Sequence, residues 1–321
     1  MSGTLPQIDY GSHPAYGGMI QPHQVFRDEA LAALQPLIEE MTAVEEDRVR
    51  RFGYRHGSAS SVGEDLVKRG ASPVQLTSRA TERVQSGAQP VIDLIRERLA
   101  RARAAAEPIK YKTALETANA TDRPELWTAV NDAMREAGVF DLTAAYFGAP
   151  KGELRSVGLL VNQPDQDWAT RLYREAEIET PPTAGFHVDS NGKCFVKAVL
   201  YLTDVGPDQG PFGMVPGSHR WSEGSQERIY RRAFDKSGLA MRSLKKRRLF
   251  ISLPKEMQVK AEFGGDMLGD SPEAQSLLQQ EYVATGPRGQ LNLFDPESIH
   301  RGGNVRQGER HAVLITCGPV W

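Results

Sequence analysis

Cysteine is scarce: only Cys194 and Cys317 occur among 321 residues. Two thiols are too few for a disulfide framework, so a reducing, cytoplasmic setting is expected. Long apolar runs are missing as well. No stretch approaches the roughly 18 apolar residues of a membrane-spanning helix. Met1 to Pro6 also lacks the basic and apolar regions of a signal peptide, so no membrane partner is expected. Neither charge dominates: 39 Lys and Arg stand against 41 Asp and Glu, a net charge of −2, with a pI near 6.4. That balance argues against a nucleic-acid partner while permitting a local basic patch. No internal repeat is visible. What remains, 40 % hydrophobic and 25 % charged residues, is the composition of an ordinary globular chain able to bury a sizeable core.

Two regions differ in pattern. Residues 1–150 read as mainly helical. Gly11, Pro14, Gly17, Gly18 and Pro22 make 1–27 an irregular arm. Leu31, Leu34, Ile38 and Met41 then fall at helical spacing behind Asp28, a candidate N-cap, although Pro36 demands a kink or a fresh start. Residues 55–85 are polar and ambiguous. Residues 89–106 read as a helix with Val91, Ile95, Leu99 and Ala102 on one side. Arg96, Arg98, Arg101 and Arg103, with Arg83 upstream, are expected to form its solvated face. Thr121 and Asp122 precede Pro124-Glu125-Leu126-Trp127, the N-cap and first turn of a helix that stops at Gly138. His13, His23 and His56 lack ligand spacing and are read as structural or surface residues.

Residues 151–321 change character. Short apolar or alternating runs are broken by Gly, Pro, Asp and Asn, which is how antiparallel strands read. Strands are expected at 154–161, 194–202, 213–215, 289–294 and 310–317. The run 197–202 is apolar enough to be central, covered on both faces. Residues 222–283 look like an insertion, with helices around 222–238 and 272–281, of the kind that forms lids or binding elements. The N-terminal helices are expected to belong to the same globule.

The chemistry sits in Gly185-Phe186-His187-Val188-Asp189 and Ser298-Ile299-His300-Arg301-Gly302-Gly303. On an extended strand His187 and Asp189 project from one face. His300, brought alongside, would complete two histidines and one carboxylate on one face of a metal, a set that suits iron(II) with open positions for reactants. Taken singly, each residue is more simply a buried histidine, a turn aspartate and a loop histidine. A sandwich or jelly roll would set their distant strands side by side.

The later motifs sharpen this. His187-Val188-Asp189, the 197–205 strand, Gly210-Pro211 with Pro216-Gly217-Ser218-His219, Leu293-Phe294-Asp295 before His300, and Gln307-Gly308-Glu309-Arg310 occur in that order. Over residues 154–321 the chain resembles the phytanoyl-CoA dioxygenase family of iron(II)/2-oxoglutarate oxygenases. The resemblance implies an α+β protein with a double-stranded β-helix (jelly-roll) core. It implies Fe(II) held by His187, Asp189 and His300, with 2-oxoglutarate and O2 as co-substrates. It also implies an arginine for the distal carboxylate of 2-oxoglutarate, whose planar fork pairs bidentately. Arg310, ten residues past His300, is preferred over Arg306 in its polar loop.

Gly302 stands where family members often carry a hydroxyl against a 2-oxoglutarate carboxylate. Asn162, Thr316 or a backbone amide must then serve, and Asn162 is equally a turn cap before Pro164. Lys197 either points into the site towards a carboxylate or reaches water at the strand end. Arg301 is read as a turn or lid residue, Ser218 and His219 as structural, and His311 as facing away from Arg310. Trp168, Arg171, Tyr173 and Arg174 are candidates for the mouth. Lys245-Lys246-Arg247-Arg248 is a solvated run or a contact for an anionic group.

The expected activity is hydroxylation, or other oxidation, of a C–H bond of a small metabolite or biosynthetic intermediate, with release of succinate and CO2. The alternatives are the same chemistry on a nucleic acid or protein side chain, and a metal-binding β domain without turnover.

Overall fold

The computed structural model describes residues 24–52, 61–107, 109, 111–164, 186–189, 194–220, 225–237, 249, 252–254, 256–257 and 272–320. In chain order come α1 (Gln24–Phe52), α2 (Ser61–Arg69), β1 (Ala71–Gln75), α3 (Ser78–Ala104), α4 (Tyr111–Ala114), β2 (Leu115–Ala118), α5 (Pro124–Glu136), α6 (Val139–Phe147) and β3 (Lys151–Asn162). Then follow β4 (Val196–Tyr201), β5 (Phe212–Met214), α7 (Ser225–Ser237), α8 (Pro272–Gln280), β6 (Tyr282–Ala284), β7 (Gln290–Phe294), β8 (His300–Arg301) and β9 (Arg310–Val320).

A large sheet runs in the order β1-β7-β4-β9-β3-β2, and a small one in the order β6-β5-β8. Neighbours in both pair antiparallel. A bridge between His187 and His300 adds the 186–189 segment beside β8. The two facing sheets, with strands that cross between them, are the jelly roll of a double-stranded β-helix.

Period-two alternation divides the large sheet's residues between two cores. Val196, Ala198 and Leu200 of β4, with Val313, Ile315 and Cys317 of β9, join the apolar face of α3 (Val84, Val91, Ile95, Leu99) and of α5. The intervening Val199, Tyr201 and Ala312 pack instead with Phe212, Met214, Ala284 and Phe294, between the sheets. A register shift between Leu154 and Ser156 inserts a bulge in β3. It lets Leu154 and Val157, three apart, both face the helices. Both cysteines are free, and burial pushes the Cys317 thiol up to about 12, so it stays protonated.

All five expected strands form. The N-terminal region holds two strands that the sequence reading missed. β1 and β2 add to the two edges of the large sheet; Pro73, which lacks a donor, is tolerated in β1 because that strand is an edge. α1 starts at Gln24, so Asp28 is not its N-cap, and it continues through Pro36 without a new start. Its buried stripe is Ala30, Leu34, Met41 and Glu45. α3 begins at Ser78 rather than near 89, capped by the Thr77 side chain, which accepts from Ala80 N at 3.2 Å. α5 starts at Pro124 with no side-chain cap; Thr121 and Asp122 instead donate backbone N–H groups to Asn119 Oδ1, each at 2.8 Å.

The α3 arginines do not form a plain solvated face. Arg96 reaches Glu309 and Arg98 reaches Glu116, at 3.0 and 2.8 Å. Arg103 bonds Gln163, and Arg83 bonds Glu136 at 2.8 Å. Only Arg101 keeps to its own helix, 3.6 Å from Glu97. Residues 1–23 and His13, His23 and His56 lie outside the described residues, as do Trp168, Arg171, Tyr173, Arg174 and the 245–248 run.

Gly70 ties the first helices to the second half. Its φ is +78°, and a Cβ there would lie 2.4 Å from Ser298 Oγ and 2.7 Å from His219 Nδ1. Gly70→Ala therefore combines left-handed backbone strain with a clash against a buried wall. It should destabilise the fold by at least about 1–2 kcal/mol, read as a lowered urea midpoint at unchanged slope.

Candidate metal centre

Strands β3, β4, β8 and β9, the 186–189 segment and one turn build the site. The segment holding His187 and Asp189 lies against β8 through paired bonds, His187 N to His300 O and His300 N to His187 O, each 2.9 Å. Asp189 N donates to Pro296 O at 3.0 Å. These bonds set the His187–Asp189 segment directly beside β8. One nitrogen from each histidine and one Asp189 oxygen then lie within 4.8 Å of one another. The two imidazole centroids are 4.3 Å apart.

The block Pro216-Gly217-Ser218-His219 clamps the strand that carries His300. Ser218 Oγ donates to Val215 O and accepts from Ile299 N, each at 2.7 Å. Val215 N closes the pair to Ile299 O at 2.9 Å. Gly217, at φ +78°, donates its N–H to Arg69 O at 2.7 Å. His219 Nε2 lies 3.1 Å from the Val67 carbonyl. Both Ser218 and His219 are buried.

His300 has its tautomer dictated by its surroundings. Nδ1 lies 2.7 Å from Ser298 O. A carbonyl can only accept, so Nδ1 carries the proton and Nε2 turns its lone pair to the site. Burial drives the His300 pKa down to about 3, with His187 adding to the effect. Phe294 and Phe212 border the ring, with centroids 4.8 and 6.1 Å away.

Burial opposes ionisation of Asp189, but His300, Lys197 and His187 outweigh it and hold its carboxyl below the usual range. Lys197 Nζ stands 2.7 Å from Asp189 Oδ2. The distance is that of an ion pair, so the ammonium stands at Oδ2 where the cation of a loaded site would stand. A buried carboxylate oxygen so placed, 3.6 Å from His300 Nε2, is the donor a cation would satisfy. Two imidazoles and one carboxylate fit a divalent transition metal such as iron(II).

Arg310 and Asn162 meet across β3 and β9, where they are register partners. Arg310 Nη2 donates to Asn162 Oδ1 at 2.7 Å, and both residues are buried. Arg306 is exposed, as expected. His311 turns away from Arg310 to bond Glu309. Thr316 is half-buried, on the inward row of β9 with Arg310. Arg301 corrects the sequence reading. It is a residue of β8, not of a turn or lid, and it forms a bidentate pair with Glu281 at 2.8 and 2.6 Å. Its guanidinium carbon lies 4.4 Å from the centroid of the Phe186 ring.

Support from farther away had no signal in the sequence. Arg232 of α7 is buried between Glu45 of α1, at 3.0 Å, and Glu297, three residues before His300. Tyr146 donates its hydroxyl to Asp295 Oδ2 at 2.7 Å.

Residues 156–312 match the model of the phytanoyl-CoA dioxygenase (PhyH) family. This stretch is a phytanoyl-CoA dioxygenase family domain. The protein is therefore a 2-oxoglutarate-dependent oxygenase, with Fe(II) as cofactor and 2-oxoglutarate and O2 as co-substrates. Solved structures that resemble it include EctD from S. alaskensis with 2-oxoglutarate and 5-hydroxyectoine, at 13% identity and TM-score 0.47, covering 83% of this chain and 78% of that one. The carbocyclase SnoK from nogalamycin biosynthesis is 14% identical at TM-score 0.47, covering 82% and 84%. AviO1 from Streptomyces viridochromogenes Tue57 is 15% identical at TM-score 0.41, covering 81% and 96%. Among curated proteins, no sequence matches the chain.

The His300 shift sets a pH dependence in this PhyH-domain protein. The folded state holds His300 neutral down to about 3, whereas an unfolded histidine takes its proton near 6.5. The unfolded chain therefore binds more protons between those values. Metal-free protein should keep this contribution above pH 6.5 and lose stability as pH falls below it. His300→Gln should flatten that slope in urea unfolding at pH 7, 6 and 5.

Proposed function

We propose that the protein hydroxylates, or otherwise oxidises, an unactivated C–H bond of a small metabolite or biosynthetic intermediate. In this reading His187, Asp189 and His300 hold the iron, and Arg310, steadied by Asn162, holds the distal carboxylate of 2-oxoglutarate. The observation that carries it is the convergence of three donor atoms within 4.8 Å beside the inward row of the large sheet, which also bears the buried Arg310–Asn162 pair.

Iron(II), when bound, supplies activation of dioxygen, coupled to decarboxylation of 2-oxoglutarate to succinate and carbon dioxide. The rest is the work of the chain. The Ser298 carbonyl keeps His300 in the tautomer that offers Nε2 to the metal. Asp189 stays ionised, so the third protein ligand is present; that favours oxygenation over halogenation, which frees this position for a halide. Arg310 keeps its charge at every pH and presents a fork that matches a carboxylate. Asn162 accepts from one Nη, which fixes the plane of that fork. Gly302 contributes no hydroxyl, so Asn162 takes that duty in this reading. Phe212 and Phe294 line the histidine side with carbon, limiting the water that reaches it. The N-terminal helices and the 151–321 core act as one globule in this reading.

Protein reconstituted anaerobically with iron(II) should show an iron-dependent 2-oxoglutarate absorption band and, on admission of oxygen, form succinate. His187→Ala, Asp189→Ala and His300→Ala should each abolish the band. Arg310→Ala should raise the 2-oxoglutarate requirement about 10- to 100-fold, the loss expected for a charged hydrogen-bonded partner, with metal binding retained. A wild-type protein with neither band nor succinate would sink the proposal.

A further inference from the structure

β4 turns Lys197, Val199 and Tyr201 to the inside of the jelly roll, opposite to the helix-packed Val196, Ala198 and Leu200. Lys197 is thus a cation on the inward face of the large sheet. Its ammonium lies 2.7 Å from Asp189 Oδ2 and 5.8 Å from the Phe195 ring centroid. The same oxygen is 3.6 Å from His300 Nε2. The lysine therefore occupies the carboxylate oxygen that faces the position between the three ligands. The pair is not sealed off: the Lys197 side chain is 29% exposed and that of Asp189 18%.

A carboxylate oxygen bound to a divalent ion lies about 2 Å from it. An ammonium held on that oxygen would face two positive charges at close range, a repulsion that a partly desolvated site screens poorly. Loading the metal must push Lys197 off Asp189. Among the described residues, the charges of the loaded site then balance without it. The metal's two positive charges and Arg310 are matched by Asp189 and the two carboxylates of 2-oxoglutarate. The inward positions of β4 and β9 carry two cations, Lys197 and Arg310, and Arg301 on the small sheet is already taken by Glu281. Lys197 is left as the surplus charge, next to where the reaction occurs, and a half-buried ammonium with no counter-charge is costly.

We infer that Lys197 is an exchangeable counter-cation, neutralising Asp189 in the metal-free protein and binding a carboxylate of the oxidisable substrate once the metal has taken Asp189. The inference rests on the oxygenase reading above and adds the substrate class: an organic anion whose carboxylate sits beside the metal. Lys197 acts there as a specificity-determining residue, since a neutral analogue leaves the ammonium unpaired.

The test compares wild type, Lys197→Met and Lys197→Arg by calorimetry, with manganese(II) as an air-stable stand-in for iron(II). Lys197→Met should bind manganese(II) several-fold more tightly than wild type, because the competing cation is gone, and Lys197→Arg should resemble wild type. Acetate, the probe carboxylate, is then titrated into protein loaded with manganese(II) and 2-oxoglutarate. Wild type and Lys197→Arg should bind it saturably, Lys197→Met at least tenfold more weakly, with 2-oxoglutarate affinity alike in all three. Weaker manganese(II) binding by Lys197→Met would make the lysine a plain support for Asp189 and overturn the inference. So would acetate binding that is absent in wild type or unchanged in Lys197→Met. A selective loss of 2-oxoglutarate affinity in Lys197→Met would assign the ammonium to the co-substrate, again against the inference. Failure of the underlying oxygenase reading looks different: wild type would then bind no 2-oxoglutarate in the presence of manganese(II).

Discussion

Two backbone hydrogen bonds between residues 187 and 300 underlie the rest of the site. Each residue donates its N–H to the other's carbonyl at 2.9 Å. In an antiparallel pair such mutual bonding places the two side chains directly across from one another. The histidines thus share one face, and the alternation of the strand puts Asp189 on it too. Nothing in the imidazoles themselves would bring them together. Two polar rings and a carboxylate desolvated against Phe294 and Phe212 are unfavourable neighbours until a cation joins them, and the surrounding fold bears that cost.

The support is layered. Ser218 holds Ile299 on one side of His300, and Ser298 holds its ring through Nδ1. The turn before them is gripped at Asp295 by Gly70 and Tyr146, and at Glu297 by Arg232. Arg232 comes from the inserted segment and bonds Glu45 from the first helix. A buried guanidinium tolerates no missing partner, so α1, α7 and the turn before His300 must be in place together. The insertion and the N-terminal helices are in this sense part of the mounting of the turn before His300.

Charge follows the same geometry. Asp189 meets Lys197 at one end of the inward row of the large sheet, and Arg310 meets Asn162 at the other. Arg96, Glu309, Gln163 and His311 form a separate network next to the latter pair. Glu309 is held down to about 2 there. Burial works against its ionisation, but bonds from His311, Arg96 and Gln163 prevail. Arg310 is thereby kept apart from the acid beside it in sequence, because neighbours on a strand face opposite ways.

The sequence by itself determined five strands of the C-terminal half, though not β6 or β8, the inserted helices around 222–238 and 272–281, and the donor types at 187, 189 and 300. Those follow from local alternation, turn residues and the chemistry of the side chains. It also determined that Arg310 and His311 would part company, since a period of two requires it. It left open whether Lys197 met a carboxylate, and it placed the α3 arginines in solvent, because a charged side chain shows no sign of its partner when that partner lies far along the chain. β1 escaped notice for a related reason: a five-residue edge strand containing proline has no alternation of its own, and only β7 makes it a strand. Tertiary structure alone decided which tautomer His300 adopts, which turn Arg232 secures and that Arg301 serves Glu281. Each depends on groups that meet only when two sheets and a helical layer close on one another, where burial makes an unsatisfied charge too costly to keep.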